Sequence, residues 1–244
     1  MPRVIAFVNG SLGAQALRLL APHLVGVVVH APERQRAVDE LARAIPSGIP
    51  VWQQVDGNAL AACRPTHGVS VLYGEILRQP VIDLFPHGIA NLHPSYLPYG
   101  RGAHPNAWAL ATGEPAGVTL HLIDGGVDTG PILAQAPVAV HVTDDAKAVY
   151  GRLMDAACSL LHDALPQWLA GALVPRPQPI VADAPATRRV RDLDRLLCID
   201  PDATYTGRQL IDLLRARTFA DYPGAPYVVN GHRLRLRLAI EEES

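Results

Sequence analysis

The sequence predicts an α/β protein, in which a mainly parallel sheet is flanked by helices and a small α+β unit follows at the C-terminal end. Two observations predict the sheet. Short apolar runs alternate with helix-like segments, and those runs are continuous rather than alternating, as in strands buried on both faces. A third observation, a proline-rich stretch after which the pattern changes, predicts the additional unit. With 49% hydrophobic residues in 244 positions, the chain can fill such a core.

The first strand-and-helix units occupy the N-terminal region. RVIAFVNG (Arg3–Gly10) predicts a buried strand ending in a turn, and LGAQALRLLAPHL predicts a helix because its leucines lie near helical spacing. LVGVVVH (Leu24–His30) predicts a second buried strand, and ERQRAVDELARAI (Glu33–Ile45) predicts an amphipathic helix. Further strands are expected at VSVLYG, GIANLH and GVTLHLID. Strands separated by helices in this way predict a Rossmann-like sheet.

The segment Asp144–Leu173 has a long helical pattern. We expect Pro166 to kink or split it, because proline removes a main-chain donor and clashes with the preceding turn. The stretch VPRPQPIVADAPATRR then predicts a linker near residues 174–188. We therefore expect a catalytic domain over residues 1–180 and a small helix-plus-hairpin unit over residues 181–244.

The C-terminal unit carries two local signals. TYTGRQLIDLLRARTF predicts a helix beginning after Thr204 or Thr206, both of which suit an N-cap. YVVNGHRLRLRLAI has short alternating runs around Asn230-Gly231, which is typical of a hairpin turn. Arginines in this unit suit a solvated face, a nucleotide diphosphate or a dimer partner. They fall in two groups: Arg188, Arg189, Arg191 and Arg195, then Arg233, Arg235 and Arg237.

Composition excludes several classes of function. The formal net charge of −2 argues against a nucleic-acid-binding surface, and no apolar run approaches the ~20 residues that span a membrane. Cys63, Cys158 and Cys198 match no zinc-site spacing and form a poor disulfide framework. The first residues lack the pattern of a signal peptide. We expect a cytoplasmic protein.

The strand IANLH places two polar side chains together. Asn91 and His93 lie two residues apart, so both project from one face of the strand, and Pro94 ends the ladder there. Both then lie at the carboxyl end of a sheet strand, where open α/β sheets bind ligands. An amide donor beside an imidazole is suited to stabilising an oxyanion and moving a proton.

A carboxylate partner is expected in VTLHLIDGGVDTGPIL. Asp124 and Asp128 follow the strand in a loop whose glycines permit a sharp fold, and Asp128 lies deeper in it. Asp124 also fits a simple strand-terminal turn residue. We interpret His121, inside the strand, as a packed or edge histidine. A metal site of His93, His121 and Asp128 is conceivable, but no metal-binding spacing supports it.

NLHPSYLP followed by GVTLHLIDGGVDTGPIL resembles the signature of the 10-formyltetrahydrofolate-dependent formyltransferases. That family includes glycinamide ribonucleotide transformylase, methionyl-tRNA formyltransferase and the sugar N-formyltransferases. The resemblance implies the formyltransferase fold, 10-formyltetrahydrofolate as co-substrate, no metal, and a catalytic trio of Asn91, His93 and Asp128.

Two further segments resemble the sugar enzymes in particular. PYGRGAHPNAW is similar to their P-Y-N-R-G-x-x-P-N-x-W segment, with Gly100 where asparagine is usual. LIDLLRARTFADYPGAPYVV is similar to their C-terminal region, with Ala220-Asp221 in place of prolines and an extra Pro226. Methionyl-tRNA enzymes usually carry a shorter, alanine-rich first segment and a larger basic barrel, for which this tail looks too short.

The resemblance also implies binding residues. GEIL and the IDGGVD loop are expected to line the folate slot through Ile76, Leu77, Asp124, Gly125, Gly126 and Val127. The acceptor is expected to meet Tyr99, Arg101, Gly102, Asn106 and Trp108, although Trp108 also suits a core anchor of the short helix starting near His104.

The implied function is transfer of a formyl group to the primary amine of a dTDP- or UDP-linked amino-deoxysugar by an expected homodimer. Alternatives are formylation of another amine (an amino acid, a siderophore or antibiotic intermediate, or methionyl-tRNA), hydrolysis of formyltetrahydrofolate, and a non-catalytic binding module. The sequence does not identify the sugar, its amine position or its nucleotide.

Overall fold

The structure is a computed structural model that describes residues 1–181, 187–219 and 222–241. The predicted linker therefore lies partly, and Ala220-Asp221 wholly, outside the described residues. The chain forms two compact units. The first comprises Met1–His93, Thr119–Gln135 and Ala157–Pro179, and the second comprises Pro94–Val118, Ala136–Ala156 and Ile180–Ser244. The domain boundary near residue 180 stays a prediction.

Within the described residues, seven strands form one sheet in the order β3-β2-β1-β4-β5-β6-β7. The strand pairs β1–β2, β1–β4, β2–β3 and β4–β5 are parallel, while β5–β6 is antiparallel. This confirms the predicted mainly parallel sheet. The strands are β1 Val4–Val8, β2 Leu24–Val28, β3 Val51–Trp52, β4 His67–Val71, β5 Ile89–His93, β6 Ala116–Leu122 and β7 Ile132–Val138.

Helices connect most of these strands. They are α1 Gly10–Leu20, α2 Val38–Ala44, α3 Gly57–Ala62, α4 Gln79–Ile82, α5 Pro105–Thr112, α6 Ala146–Leu169, α7 Val190–Leu196 and α8 Gly207–Arg217. Of the two expected effects of Pro166, splitting the long helix is wrong, because α6 continues past it to Leu169, and a kink stays a prediction. The proline lies in the last turn, where little helix remains to be disrupted.

The helix expected over Glu33–Ile45 is shorter than predicted. A 3-10 turn replaces its start, and α2 begins only after Ala37, whose φ of 51° is left-handed. The Asn9 side chain explains this difference. Its Oδ1 accepts from Arg36 N at 2.8 Å and its Nδ2 donates to Arg34 O at 3.1 Å, so these main-chain groups are drawn away from helical pairing.

The core explains the continuous apolar runs. All five residues of β1 and all five of β4 are buried, as expected for central strands with covered faces. Phe7 contacts Tyr73 and Phe85, with ring centroids 5.7 Å and 6.1 Å away. Burying a side chain such as Phe7 stabilises a fold by about 1.5–3 kcal/mol.

The C-terminal elements match their sequence signals. Thr206 caps α8, and its side chain exchanges hydrogen bonds with Gln209 in a capping box. Strands β8 (Ala225–Val229) and β9 (His232–Leu236) form an antiparallel hairpin around Asn230-Gly231. No helix in the described part of the chain is both long and apolar enough to span a bilayer.

His67 is a buried histidine at the start of β4. Its ring stacks on His87 at 4.4 Å and meets the Trp168 ring edge-on at 4.9 Å, and its Nδ1 lies 2.8 Å from Thr66 Oγ1. Burial, and secondarily the charges of His87 and His23, lowers the pKa of His67 from 6.5 to about 4.

We expect acid to destabilise the fold partly through His67. The unfolded chain takes up this proton near pH 6.5 but the folded chain only near pH 4, so the contribution is complete above pH 6.5 and is lost as pH falls toward 4. A lowering of the pKa by this amount corresponds to at most roughly 3 kcal/mol. His67→Phe should flatten the decline of the unfolding free energy over this range, as measured by urea titration. The same change at exposed His162 serves as control. If the unfolding free energy of H67F declines with falling pH as steeply as that of the wild type, His67 does not contribute to acid destabilisation.

Candidate active site

Strands β5 and β6 bring four polar side chains onto one face. Asn91 and His93 are two residues apart on β5, so they project together. The antiparallel register with β6 places His121 directly opposite Asn91 and Thr119 directly opposite His93. His93, Thr119 and His121 are buried and Asn91 is half-buried. Sheet geometry therefore fixes the spacing of this group.

Asp128 lies in the loop after β6, and its carboxylate reaches both histidines. Its Oδ2 is 3.6 Å from His93 Nε2 and its Oδ1 is 3.5 Å from His121 Nε2. These distances are slightly longer than hydrogen bonds, and they allow an ion pair whenever either imidazole is protonated. The predicted trio of Asn91, His93 and Asp128 thus lies together within the first compact unit.

His121 belongs to the same cluster. Its interpretation as a packed or edge histidine did not place it in the site. It is buried, with 2% exposure. Its Nε2 lies 3.2 Å from Asn91 Nδ2, and its Nδ1 lies 2.9 Å from the Leu122 carbonyl oxygen. The alternation Thr119-x-His121 on a strand that pairs with Asn91-x-His93 is the sequence signal for this residue, but its use requires the register of the two strands.

Local contacts fix the loop that carries Asp128. Asp124 Oδ1 accepts hydrogen bonds from Gly126 N at 3.0 Å and from Thr129 Oγ1 at 2.6 Å. A Cβ atom on Gly130 would lie 1.9 Å from the Leu122 carbonyl oxygen, so only glycine fits there.

Gln178 holds the same loop from outside it. Its Nε2 donates to the carbonyl oxygens of Asp128 and Gly130, both at 2.8 Å. Gln178 therefore holds the loop by its main-chain atoms, through contacts in which the Asp128 carboxylate takes no part.

The predicted folate-slot residues differ in exposure. Leu77 packs into the core at 5% exposure, whereas Ile76 is 75% exposed and Val127 is 38% exposed. Gly125 and Gly126 are exposed, and Asp124 folds the loop as described. Ile76 and Val127 are thus the apolar members of this set that present surface to solvent, and their contact with folate stays a prediction.

A polar cluster fixes the start of the GEIL segment. His30 Nε2 accepts from Gly74 N at 3.3 Å. Burial, and then the nearby Arg34 charge, lowers the pKa of His30, which favours the neutral acceptor. Glu75 pairs with Arg34 at 2.9 Å and accepts from the Tyr73 hydroxyl at 3.3 Å. Burial and the Glu75 charge raise the pKa of Tyr73 to about 12, so the hydroxyl stays a donor.

The predicted acceptor segment lies in the second compact unit. Tyr99 and Arg101 are half-buried. Asn106 Nδ2 donates to the Ala146 carbonyl oxygen at 3.1 Å, and Trp108 is buried at 8% exposure. Asn106 and Trp108 therefore have structural contacts, whereas Tyr99 and Arg101 retain accessible surface. Roles for these residues in acceptor binding stay predictions.

Arg188 anchors that segment and was not singled out as a site residue by the sequence. Its guanidinium pairs with the Glu114 carboxylate and lies 4.0 Å from the centroid of the Trp108 ring. Its main chain donates to Arg101 O at 3.0 Å and accepts from Ala103 N at 3.0 Å. Gly102 between them has a φ of +91°, and a Cβ there would lie 2.1 Å from the Arg188 carbonyl oxygen.

Metal binding has no structural support within residues 1–181, 187–219 and 222–241. No group of three or more His, Cys, Asp or Glu side chains in these ranges could hold a metal ion, and this includes the cluster around Asp128.

Comparisons with known proteins give consistent family matches. Residues 53–165 match the family described as Formyl transferase, and residues 192–242 match the N-formyltransferase dimerization C-terminal domain. The chain is 34% identical over 203 residues to a methionyl-tRNA formyltransferase of Myxococcus xanthus, covering 80% of this chain and 63% of that protein. It is 34% identical over 232 residues to one of an Anaeromyxobacter species, covering 88% and 72%. The chain spans less than two thirds of the length of the first of these relatives.

Solved structures agree on the fold. A sugar N-formyltransferase from a Shewanella species has a TM-score of 0.83 and 22% identity, with 100% of this chain and 99% of that chain covered. A 4-N formyltransferase from Francisella tularensis has a TM-score of 0.82 and 19% identity, with 99% of each chain covered. These likenesses show a shared fold that extends through both compact units.

Proposed function

Because the chain belongs to the formyltransferase family, we propose that it transfers the formyl group of 10-formyltetrahydrofolate to the primary amine of an amino-deoxysugar nucleotide. The observation that carries this proposal is that Asn91 and His93 project from one face of the sheet and that Asp128, in the loop after β6, lies 3.6 Å from His93. Attack of an amine on a formyl carbon requires stabilisation of an oxyanion and transfer of a proton. An amide donor, an imidazole and a carboxylate can supply these functions.

Each member of the trio has a distinct task. The neutral amine attacks the formyl carbon, and the formyl oxygen becomes negatively charged. An Asn91 N–H stabilises that oxygen, and removing one such donor typically costs about 10²–10³ in rate. His93 accepts the proton lost by the amine and returns one to the departing folate nitrogen, so the proton count balances. The Asp128 carboxylate stabilises the imidazolium between these steps.

The sugar acceptor is supported by two features. PYGRGAHPNAW resembles the corresponding segment of sugar N-formyltransferases, and the similar structure from the Shewanella species is described as a sugar N-formyltransferase. Formylation of methionyl-tRNA is the second candidate, because the curated relatives carry that name. The net charge of −2 offers little general attraction for a tRNA backbone, and this favours the sugar.

The assembly proposed is a homodimer formed through the C-terminal region. Residues 192–242 match a dimerization domain, and the β8–β9 hairpin exposes Val228 at 49% and Leu234 at 45%. Two-stranded hairpins are marginally stable alone, so further packing of this surface is favourable.

In the described residues Cys63, Cys158 and Cys198 are free thiols, which supports the expected cytoplasmic location.

A product assay tests the proposed activity. The chain is mixed with 10-formyltetrahydrofolate and a panel of dTDP- and UDP-linked amino-deoxysugars, methionyl-tRNA and free amino acids. We expect one sugar nucleotide to gain the mass of one formyl group, while its N-acetylated analogue, which lacks the free amine, does not. Product with methionyl-tRNA alone would favour the second candidate, and formate release without any acceptor would indicate a hydrolase.

A further inference from the structure

We propose that His121 is a positioning residue that holds the Asn91 carboxamide with its N–H donors toward the reaction. The inference rests on the proposed function, in which Asn91 stabilises the formyl oxygen. His121 is directly opposite Asn91 in the β5–β6 register, and it is buried at 2% exposure. Its two ring nitrogens have different partners, and these partners determine the orientation of Asn91.

The Leu122 carbonyl determines the tautomer of His121. A carbonyl oxygen only accepts hydrogen bonds, so Nδ1, 2.9 Å away, must carry a proton to bond with it. A neutral imidazole with a proton on Nδ1 has a lone pair on Nε2. In the neutral ring, the main-chain contact thus makes Nε2 of His121 an acceptor.

The tautomer in turn determines which end of the Asn91 amide faces His121. Nε2 lies 3.2 Å from the Asn91 side chain, and an acceptor there requires Nδ2 rather than Oδ1. The reversed amide would set two acceptors against each other, with no hydrogen bond between them. One Nδ2 hydrogen is used by His121, and the second remains as the donor for a substrate oxygen. Such orientation in advance is what makes an oxyanion donor effective.

The neighbouring Asp128 carboxylate makes it important that neutral His121 has its proton on Nδ1 and not on Nε2. Its Oδ1 lies 3.5 Å from the same His121 Nε2, so the atom has a carboxylate and an amide as neighbours. A proton on Nε2 would bond to the carboxylate instead and would favour the reversed amide. His121 therefore separates the two tasks at the site: His93 moves the proton beside Asp128, and His121 keeps Asn91 a donor.

Kinetics of matched variants test this role. His121→Phe keeps a buried aromatic ring and removes both nitrogens, and we expect kcat to fall about 10²-fold with little change in the folate KM, as for loss of an oxyanion donor. His121→Gln, whose amide oxygen can accept from Asn91, should recover part of the loss. In an Asn91→Ala background, H121F should have almost no further effect, because coupled residues are not additive. His67→Phe is the control for losing a buried histidine and should keep kcat.

Three outcomes would overturn the proposal: a near-normal kcat in H121F, no recovery in H121Q, or equal losses with and without Asn91. Nitrogen NMR of the free chain provides a readout that does not depend on turnover. We expect a proton on His121 Nδ1 and a lone pair on Nε2. An inactive wild-type chain with this tautomer would refute the proposed function but keep the His121–Asn91 orientation, whereas a proton on Nε2 would refute the inference even in an active enzyme.

Discussion

Replacing His93 with alanine is expected to lower kcat by about 10³-fold while folate still binds. The imidazole is the proposed proton carrier, and general acid–base catalysis typically contributes 10²–10⁴-fold. His93 lies at the end of β5 with its Nε2 3.6 Å from Asp128 Oδ2, whereas the second imidazole at this carboxylate, His121, lies nearest to Oδ1. The predicted folate slot uses other residues, which is why binding should survive. Single-turnover kinetics with isothermal titration of folate measure both quantities.

The control for this variant is His162→Ala, which removes an exposed histidine from α6 and should leave kcat unchanged. Unfolding curves of H93A establish that the fold is retained. A kcat for H93A within a few-fold of the wild-type value would remove His93 from the chemistry, whatever the acceptor is.

Replacing Asp128 with asparagine should lower kcat by a similar factor of about 10³. The carboxylate lies within 3.6 Å of both His93 Nε2 and His121 Nε2, and its charge stabilises the imidazolium that forms on His93. The loop itself should keep its position, because Asp124 and Gln178 hold it through contacts that do not involve the Asp128 carboxylate. We therefore expect the folate KM to change by only a few-fold.

Asp163→Asn, an equal change at an exposed site on α6, provides the comparison. A D128N variant with full kcat would show that the Asp128 charge has no part in the reaction, and a large loss of folate binding would show that its role is in the loop.

The rate of the wild-type reaction should rise from acid toward mildly alkaline pH, since attack requires the neutral amine.

Much of the fold follows from local sequence signals. Strands covered on both faces need continuous apolar residues, so runs such as RVIAFV were enough to predict the buried strand β1. The hairpin was predicted from Asn230-Gly231 because a tight turn depends on the residues within it. The Thr206 cap is likewise a matter of four neighbouring residues.

What the sequence missed depends on residues far apart in the chain. The helix expected over Glu33–Ile45 is shortened by the distant Asn9 side chain. Pro166 does not split α6 because the helix ends only one turn later, at Leu169. His121 joins the site only through the register of β5 with β6. Arg188 reaches Glu114 across 74 positions of sequence. Periodicity and spacing carry no information about such pairings.

A crystal structure with a stable 10-formyl analogue of the folate tests the central claim most directly. We expect the formyl oxygen within about 3 Å of Asn91 Nδ2, as an oxyanion donor requires, and the His93 ring beside the folate nitrogen that leaves. Asp128 Oδ2 should stay close to His93 Nε2, as in this structure. A formyl group bound away from Asn91, His93 and Asp128 would contradict the account.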